Sequence, residues 1–280
     1  MEPLVLLLIA LLCVGAGIIG ALLGIGGGLI IIPLLTLGFG VPMQEAIGAS
    51  LIGVIATSTG AASRYVKQGL TNVRLALFLE MATTIGSIIG ALIAVYTDQT
   101  VLLVLFSLLL VYSGYTMLRR TEVILSPEEA PEGQVVDLSC RYIDPRDRCE
   151  VSYGVGGLGK GLAFSSVAGM LSGLLGVGGG LVKVPVMNLC MGVPLRAATA
   201  TSNFMIGVTA LTGAMVFYGH GLLNAYLCGA VALGTFTGAY IGTILMARYS
   251  PSALRRWFSI LLFTVAFAMM LKALGLWGVV

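Results

Sequence analysis

The chain contains itself twice. The segment GALLGIGGGLIIIPLLTLGFGVP, from Gly20 to Pro42, returns as SGLLGVGGGLVKVPVMNLCMGVP, from Ser172 to Pro194. The offset of 152 residues holds without a gap well beyond this motif. Gly26, Pro33 and Pro42 map to Gly178, Pro185 and Pro194, Ser50 to Ser202, and Thr57 to Thr209. Farther on, Asn72 maps to Asn224, and Gly86 and Gly90 to Gly238 and Gly242. An ungapped match of this length is the mark of a duplication, and whatever the first half folds into, the second must fold into as well.

The solvent of both halves follows from their composition. Hydrophobic residues make up 58% of the 280 residues and charged residues only 10%, against about 25% charged in a soluble domain. So few charges cannot cover a surface in water, whereas lipid asks for none, and the bilayer is the first expected partner. Several apolar stretches exceed the roughly 18 residues that suggest a membrane span. The 39 glycines fit, because small residues let membrane helices approach closely. A net charge of +3 gives no reason to expect a nucleic-acid partner. Glu2 stands where a secretory signal would carry basic residues, and the first apolar run continues into the repeated motif, so this run reads as part of the fold rather than a cleaved leader.

Each half holds one long glycine-broken segment and three ordinary spans. They run over about 4–41, 45–63, 73–95 and 99–118 in the first half, and about 161–193, 197–217, 223–246 and 253–276 in the second. The organisation is then a first membrane repeat, 1–118, a polar linker, 119–158, and a second membrane repeat, 159–280. A straight helix through a broken segment would be about 50 Å long, against a hydrocarbon core of about 30 Å. The segment is expected to break at GIGGG or GVGGG and turn back as a helical hairpin. Charge bias supports this. With both segments folded back, Arg64, Lys67 and Arg74, then Arg119 and Arg120, then Arg248, Arg255 and Arg256 all fall on one side, joined by Arg196. The expected fold is an all-α polytopic membrane protein of two inverted repeats, with the linker cytoplasmic and both termini outside. Inverted repeats recur among secondary transporters.

These residues resemble the sulfite exporter TauE/SafE family. The likeness lies in the two GxGGGxxxxP hairpins and in the second copy's run through KVPVM to ATATSNFMIGVTALTGA, and it extends over nearly the whole chain, including RYID and VSYGV in the linker. The resemblance implies a transporter of a prokaryotic cytoplasmic membrane that exports sulfite, sulfoacetate or a related organosulfur anion.

The expected substrate site lies where the hairpins break. Consecutive glycines adopt backbone conformations closed to other residues, and they leave amide N–H groups that lipid cannot satisfy. Two such breaks near the midplane offer donors and partial positive charge to a small anion. Gly26, Gly27, Gly28, Gly178, Gly179 and Gly180 are placed around it, though tight turns and close packing would also call for glycine. Lys183, where the first half has Ile31, adds a point charge within an apolar helix, which is costly without a partner or a function. Ser50, Ser202 and Asn203 supply neutral donors, with interhelical hydrogen bonding as the plainer reading of any one hydroxyl. Glu80 stands within a span: proton coupling and pairing with a basic residue near the inner face both remain open. Arg196 reads as a topology anchor, and His220, the one histidine, as a solvated loop residue.

Other chemistries are poorly supported. One histidine, no HExxH and no Ser/His/Asp set argue against an enzyme, and no catalytic residue is assigned. The glycine runs lack the ending of a phosphate-binding loop. With no nucleotide motif, transport would draw on an ion or membrane gradient through alternating access. A passive anion channel of the same architecture is the alternative, and a scaffold would not need polar residues beside both breaks. Of five cysteines, Cys13, Cys190 and Cys228 lie in apolar stretches as packing residues. The linker's Cys140 and Cys149 flank DPRD, where alternation suggests a β-hairpin; pairing across Asp144 and Asp147 would set them diagonally on one face. Two cysteines without histidine make a poor zinc site, and no metal or cofactor is expected. A homodimer is compatible with all of this.

Overall fold

The computed structural model describes residues 2–119, 138–143, 149–246 and 251–276. The first half gives α1 (Pro3–Leu23), α2 (Gly28–Pro33), α3 (Met43–Lys67), α4 (Val73–Tyr96) and α5 (Gln99–Arg119). The second gives α6 (Leu158–Leu175), α7 (Gly180–Pro185), α8 (Leu195–Gly219), α9 (Ala225–Met246) and α10 (Pro251–Ala273). Two short strands, β1 (Cys140–Ile143) and β2 (Glu150–Tyr153), lie between them. Among the described residues, seven helices are long and apolar enough to cross a membrane, and Trp257–Ala273 is a shorter apolar helix. The outward faces are apolar: Leu4, Leu7, Leu8 and Leu11 on α1, and Met81, Ile85 and Ile89 on α4, are exposed. Water would not tolerate such a continuous apolar girdle.

The glycine-broken segments fold back as hairpins. Helix α1 ends at Gly24 (φ 71°), whose N–H donates to the Gly20 carbonyl. Gly26 and Gly27 follow, also left-handed, at φ 78° and 79°, a region that only glycine enters without strain. The chain then returns through α2. Pro33 can donate no hydrogen bond and crowds the preceding turn, and from Leu34 to Gly38 the arm widens into a π-helical turn. The second hairpin repeats this at Gly176, Gly178 and Gly179 (φ 68°, 81° and 74°), with Pro185 leading into a π-helical turn over Val186–Cys190. Polar groups on α10 and on the arm itself satisfy the widened first turn. Lys272 Nζ donates to the Thr36 carbonyl, and Thr36 Oγ1 donates to the Ile32 carbonyl at 2.9 Å.

The halves are laced together rather than set side by side. The entering helix of each hairpin packs on a helix of the other half, α1 on α9 and α6 on α4; likewise α3 packs on α9 and α8 on α4. Equivalent helices meet directly, α3 with α8 and α5 with α10. Those like pairs run antiparallel. Ser58 of α3 donates to the Asn203 carbonyl, whereas Leu51, two turns earlier, lies by Gly213, farther along α8. In the other pair Ser107 meets Met270 and Gly114 meets Phe263.

Glycine sets how closely the swapped helices approach. A methyl group on Gly90 would lie 2.0 Å from the Met170 carbonyl oxygen, and one on Gly238 2.1 Å from that of Val14. No neighbouring side chain can yield there, because both obstacles are backbone.

The strands show a register other than the one expected. Cys140 pairs with Tyr153 and Ile143 with Glu150, so β1 and β2 close two residues away from a pairing across Asp144 and Asp147. A two-residue slip keeps the same side chains inward, so alternation could not distinguish the registers. The observed one stacks Tyr142 edge-on against Tyr153, with ring centres 6.2 Å apart and both rings buried. Cys149 now lies beyond the end of β2, about four strand positions or ~14 Å from Cys140 rather than diagonal to it. Residues 120–137 and 144–148 of the linker lie outside the described residues, as do Arg120 and Arg248. The described part is tied to the membrane helices: Asn72 Nδ2 donates to the Leu138 carbonyl at 2.9 Å, and the Gly156 N–H to that of Met191 at 3.0 Å.

Gly90→Ala is expected to destabilise the protein by about 1–3 kcal/mol, the usual cost of overpacking. Gly15→Ala, whose new methyl meets no atom within 4 Å, should cost nothing. Unfolding midpoints in detergent compare the two; equal midpoints would show that the α4–α6 contact is looser than described.

Candidate functional site

The two hairpin tips meet deep in the protein. Gly26 and Gly178 both lie between Val54, midway along α3, and its repeat counterpart Ile206, midway along α8. Gly28 faces the Gly176 carbonyl of the opposite tip, and Gly180 faces that of Gly24. The equivalence extends to details: Gly27 packs on the Ala16 carbonyl and Ile31, and Gly179 on the Ala168 carbonyl and Lys183. All six sequence-assigned glycines are buried and brought together. Among the described residues, no hydrogen bond takes up the N–H groups of Gly26, Gly27 and Gly28, or those of Gly178, Gly179 and Gly180. Gly26, Gly27, Gly178 and Gly179 lie in non-helical backbone, and Gly28 and Gly180 open α2 and α7, so the unpaired N–H groups gather at the two tips.

The two assigned serines hold the tips. Ser50 Oγ donates to the Gly176 carbonyl at 2.8 Å, and Ser202 Oγ to the Gly24 carbonyl at 3.5 Å. Each hydroxyl thus takes a carbonyl that the end of the opposite half's helix leaves open. Asn203 is wholly buried on the same turn. Its Nδ2 donates to the Thr199 carbonyl at 3.0 Å, and its Oδ1 is buried with no partner. The side chain lies against Gly24, where an added methyl would be 3.5 Å from Nδ2.

Lys183 and Glu80 form one unit. The Lys183 side chain runs back past Gly179 into the space between α4 and α8, with its Nζ 3.7 Å from Glu80 Oε2. Thr209 joins them: it accepts from Lys183 Nζ at 2.7 Å and donates to Glu80 Oε1 at 2.6 Å. Thr83 lies on the same hydroxyl at 3.4 Å. Among the described residues these are the two charged side chains buried in the protein. Glu80 therefore pairs with a base, as one sequence reading had it, but that base is in the core and not near a face. Desolvating two charges is expensive, and such a pair needs good geometry and hydrogen bonds; Thr209 supplies one to each partner, at Lys183 Nζ and Glu80 Oε1, while Oε2 accepts none. The first half has no such unit. Ile31, Thr57 and Ala232 occupy the matching positions, and Thr57 simply donates to its own helix at Gly53, 2.8 Å away.

Sequence reasoning missed the link between Glu80 and Lys183, although the repeat carried a signal for it. Against their counterparts Ala232 and Ile31, these two are charge gains of opposite sign, and a membrane interior tolerates such gains best as a pair. The remaining candidates lie at the periphery. Arg196 is half-buried in the first turn of α8. His220 is exposed at its far end, with Nδ1 2.8 Å from the Val216 carbonyl and Nε2 3.4 Å from the Tyr96 hydroxyl.

Comparison with known proteins agrees with this picture. The family model for the sulfite exporter TauE/SafE matches residues 9–269. The probable membrane transporter protein YunE of Bacillus subtilis is 28% identical, over 81% of this chain and 83% of its own. The probable membrane transporter protein MJ0441 of Methanocaldococcus jannaschii is 26% identical, over 95% of this chain and 96% of its own. Sulfite exporter TauE/SafE family protein 3 of Arabidopsis thaliana is 27% identical, over 50% of this chain and 29% of its own. No solved structure matches the chain. With relatives of this kind and its apolar helices, the chain is a multi-pass membrane protein.

The buried unit makes a stability prediction. Lys183→Met or Glu80→Leu alone is expected to cost about 3–5 kcal/mol, because each leaves a lone buried charge. The double variant should lose less than either single one. A double-mutant cycle on unfolding in detergent measures this, and additive losses would mean that the two charges do not interact.

Proposed function

Because the chain belongs to the sulfite exporter TauE/SafE family, we propose that it is a secondary transporter that exports a small sulfur oxyanion or organosulfur anion, such as sulfite or sulfoacetate, by alternating access. The observation that carries this reading is the meeting of the two glycine tips at the midpoints of α3 and α8. Non-helical backbone at such depth is stable only when protein or a bound partner satisfies it. Six unpaired N–H groups and the Lys183 ammonium are complementary to a compact anion. Ser50 and Ser202 hold the tips in place and so position the donors. The antiparallel packing of α3 on α8 and of α5 on α10 supports inverted halves, which can rock about a central site.

The linker face is the cytoplasmic one in this reading. Arg64 and Lys67 end α3, and Arg74, Lys160 and Arg196 lie in the first turns of α4, α6 and α8, at the end where Asn72 meets the linker. Lys272 stands at the opposite end. Cytoplasmic loops carry this kind of excess of basic residues. In the cell membrane of a prokaryote, export would begin from that face.

The test is counterflow: labelled sulfite enters proteoliposomes preloaded with unlabelled sulfite, with sulfoacetate and thiosulfate as competitors. Wild-type protein should accumulate label transiently above equilibrium, which a channel cannot do. Lys183→Ala should lower the rate about tenfold or more, as expected for losing a charge-assisted contact of ~1.5–3 kcal/mol. Full activity in folded Lys183→Ala would remove that residue from the site.

A further inference from the structure

We propose that Glu80 is the proton-binding residue of the transport cycle, and that it and the anion take turns on Lys183, so that one proton travels with each singly charged anion. This rests on the transport reading above and adds the coupling ion.

The geometry gives Lys183 two possible partners. Its Cε lies beside Gly179, where an added methyl would be 3.5 Å away, while its Nζ reaches Thr209 and Glu80. The side chain thus lies alongside the second tip, and in the transport cycle it turns its ammonium from Glu80 to that tip. Glu80 is left in an unusual position. Its Oε1 accepts from Thr209, but Oε2 is buried with no hydrogen-bond donor and has Lys183 Nζ as its neighbouring charge, 3.7 Å away. If the ammonium turns to an anion, Oε2 becomes an uncompensated charge in a medium of low dielectric constant, next to a second negative charge. A proton on Oε2 removes that charge. The proton binds at Oε2, the carboxylate becomes a carboxylic acid, and Thr209 remains bonded to Oε1. Net charge in the core is zero in the empty state (Lys183 positive, Glu80 negative) and zero when loaded (Lys183 positive, anion negative, Glu80 neutral). A loaded core without the proton would instead carry one negative charge through the membrane.

Among the described residues, no other ionisable group on the helices around Glu80 competes for this role. Glu80 faces α6, α7 and α8 from α4. The other charged residues on these helices, Arg74, Lys160 and Arg196, stand in first turns, Arg74 and Lys160 exposed and Arg196 half-buried. Tyr96 and Tyr218 are exposed at the far ends of α4 and α8. At the positions related by the repeat stand Ile31, Thr57 and Ala232, so the duplication provides no second copy of this proton site.

The experiment uses the full-length protein in proteoliposomes with labelled sulfite, in two stages. Counterflow comes first, since exchange needs the anion site but no net movement of charge. Its absence from folded wild-type protein would overturn the transport reading, and this inference with it. Net flux follows, under either an imposed voltage or an imposed pH gradient, reckoned for the singly charged bisulfite ion. The expected wild-type result is a flux that a pH gradient drives and voltage does not. In Glu80→Gln, label should still exchange, more slowly, while net flux follows voltage and ignores the pH gradient; Glu80→Asp should restore the wild-type pattern. Wild-type flux that follows voltage alone, or Glu80→Gln flux still driven by the pH gradient, would overturn the proposal while leaving transport intact. The wild-type arm decides the matter even if Glu80→Gln does not fold.

Discussion

Two helices stop deep inside a membrane protein, and the backbone groups they leave behind cannot turn to water. The rest of the structure answers that constraint. Gly24 and Gly176 end α1 and α6 with a carbonyl exposed at the tip, and in each case the answer comes from the other half. Ser202 donates to Gly24, and Ser50 to Gly176. Neither hairpin is complete alone. The same dependence shows in the packing of α1 on α9 and α6 on α4, where glycine brings backbone against backbone. The duplicated halves are thus two parts of one core, and the place where they lock is also the place with spare N–H donors.

Against this near-symmetry, the polar differences between the halves stand out. Val54 and Ile206 keep the tips' surroundings apolar on both sides, and Thr57 and Thr209 stand at equivalent positions. Only the second hairpin carries a lysine there, and only its packing partner α4 carries an acid. A pair of buried charges adds little to stability compared with a well-packed apolar pair, which Ile31 and Ala232 show to be available at the same positions. The charges make better sense as chemistry than as mortar. Their position beside the second tip ties that chemistry to the candidate anion site.

Much of this could be read from the residues. The exact offset required two copies of one fold, the glycine runs located the breaks, and the shortage of charge specified lipid as the solvent, because each depends on local conformation or bulk composition alone. The candidate glycines, Lys183, Glu80, Asn203 and the serines were also visible as polar or non-helical features in an apolar setting. Their partners were not. Nothing local says that Ser50 bonds across 126 positions to Gly176, or that Glu80 of one half meets Lys183 of the other. A two-residue slip in the linker strands likewise left the alternation of Tyr142 and Tyr153 unchanged, and the observed register is the one in which their rings meet.

The sequence by itself determined the duplication, the membrane setting and the points where the helices break, since backbone preference and hydropathy act over a few neighbouring residues. Tertiary structure decided which half supports which hairpin, that the serines serve the tips' carbonyls, and that Glu80 and Lys183 share a threonine. Hydrogen bonds and ion pairs in a medium without water form wherever packing brings donor and acceptor together, and that meeting is a property of the folded whole.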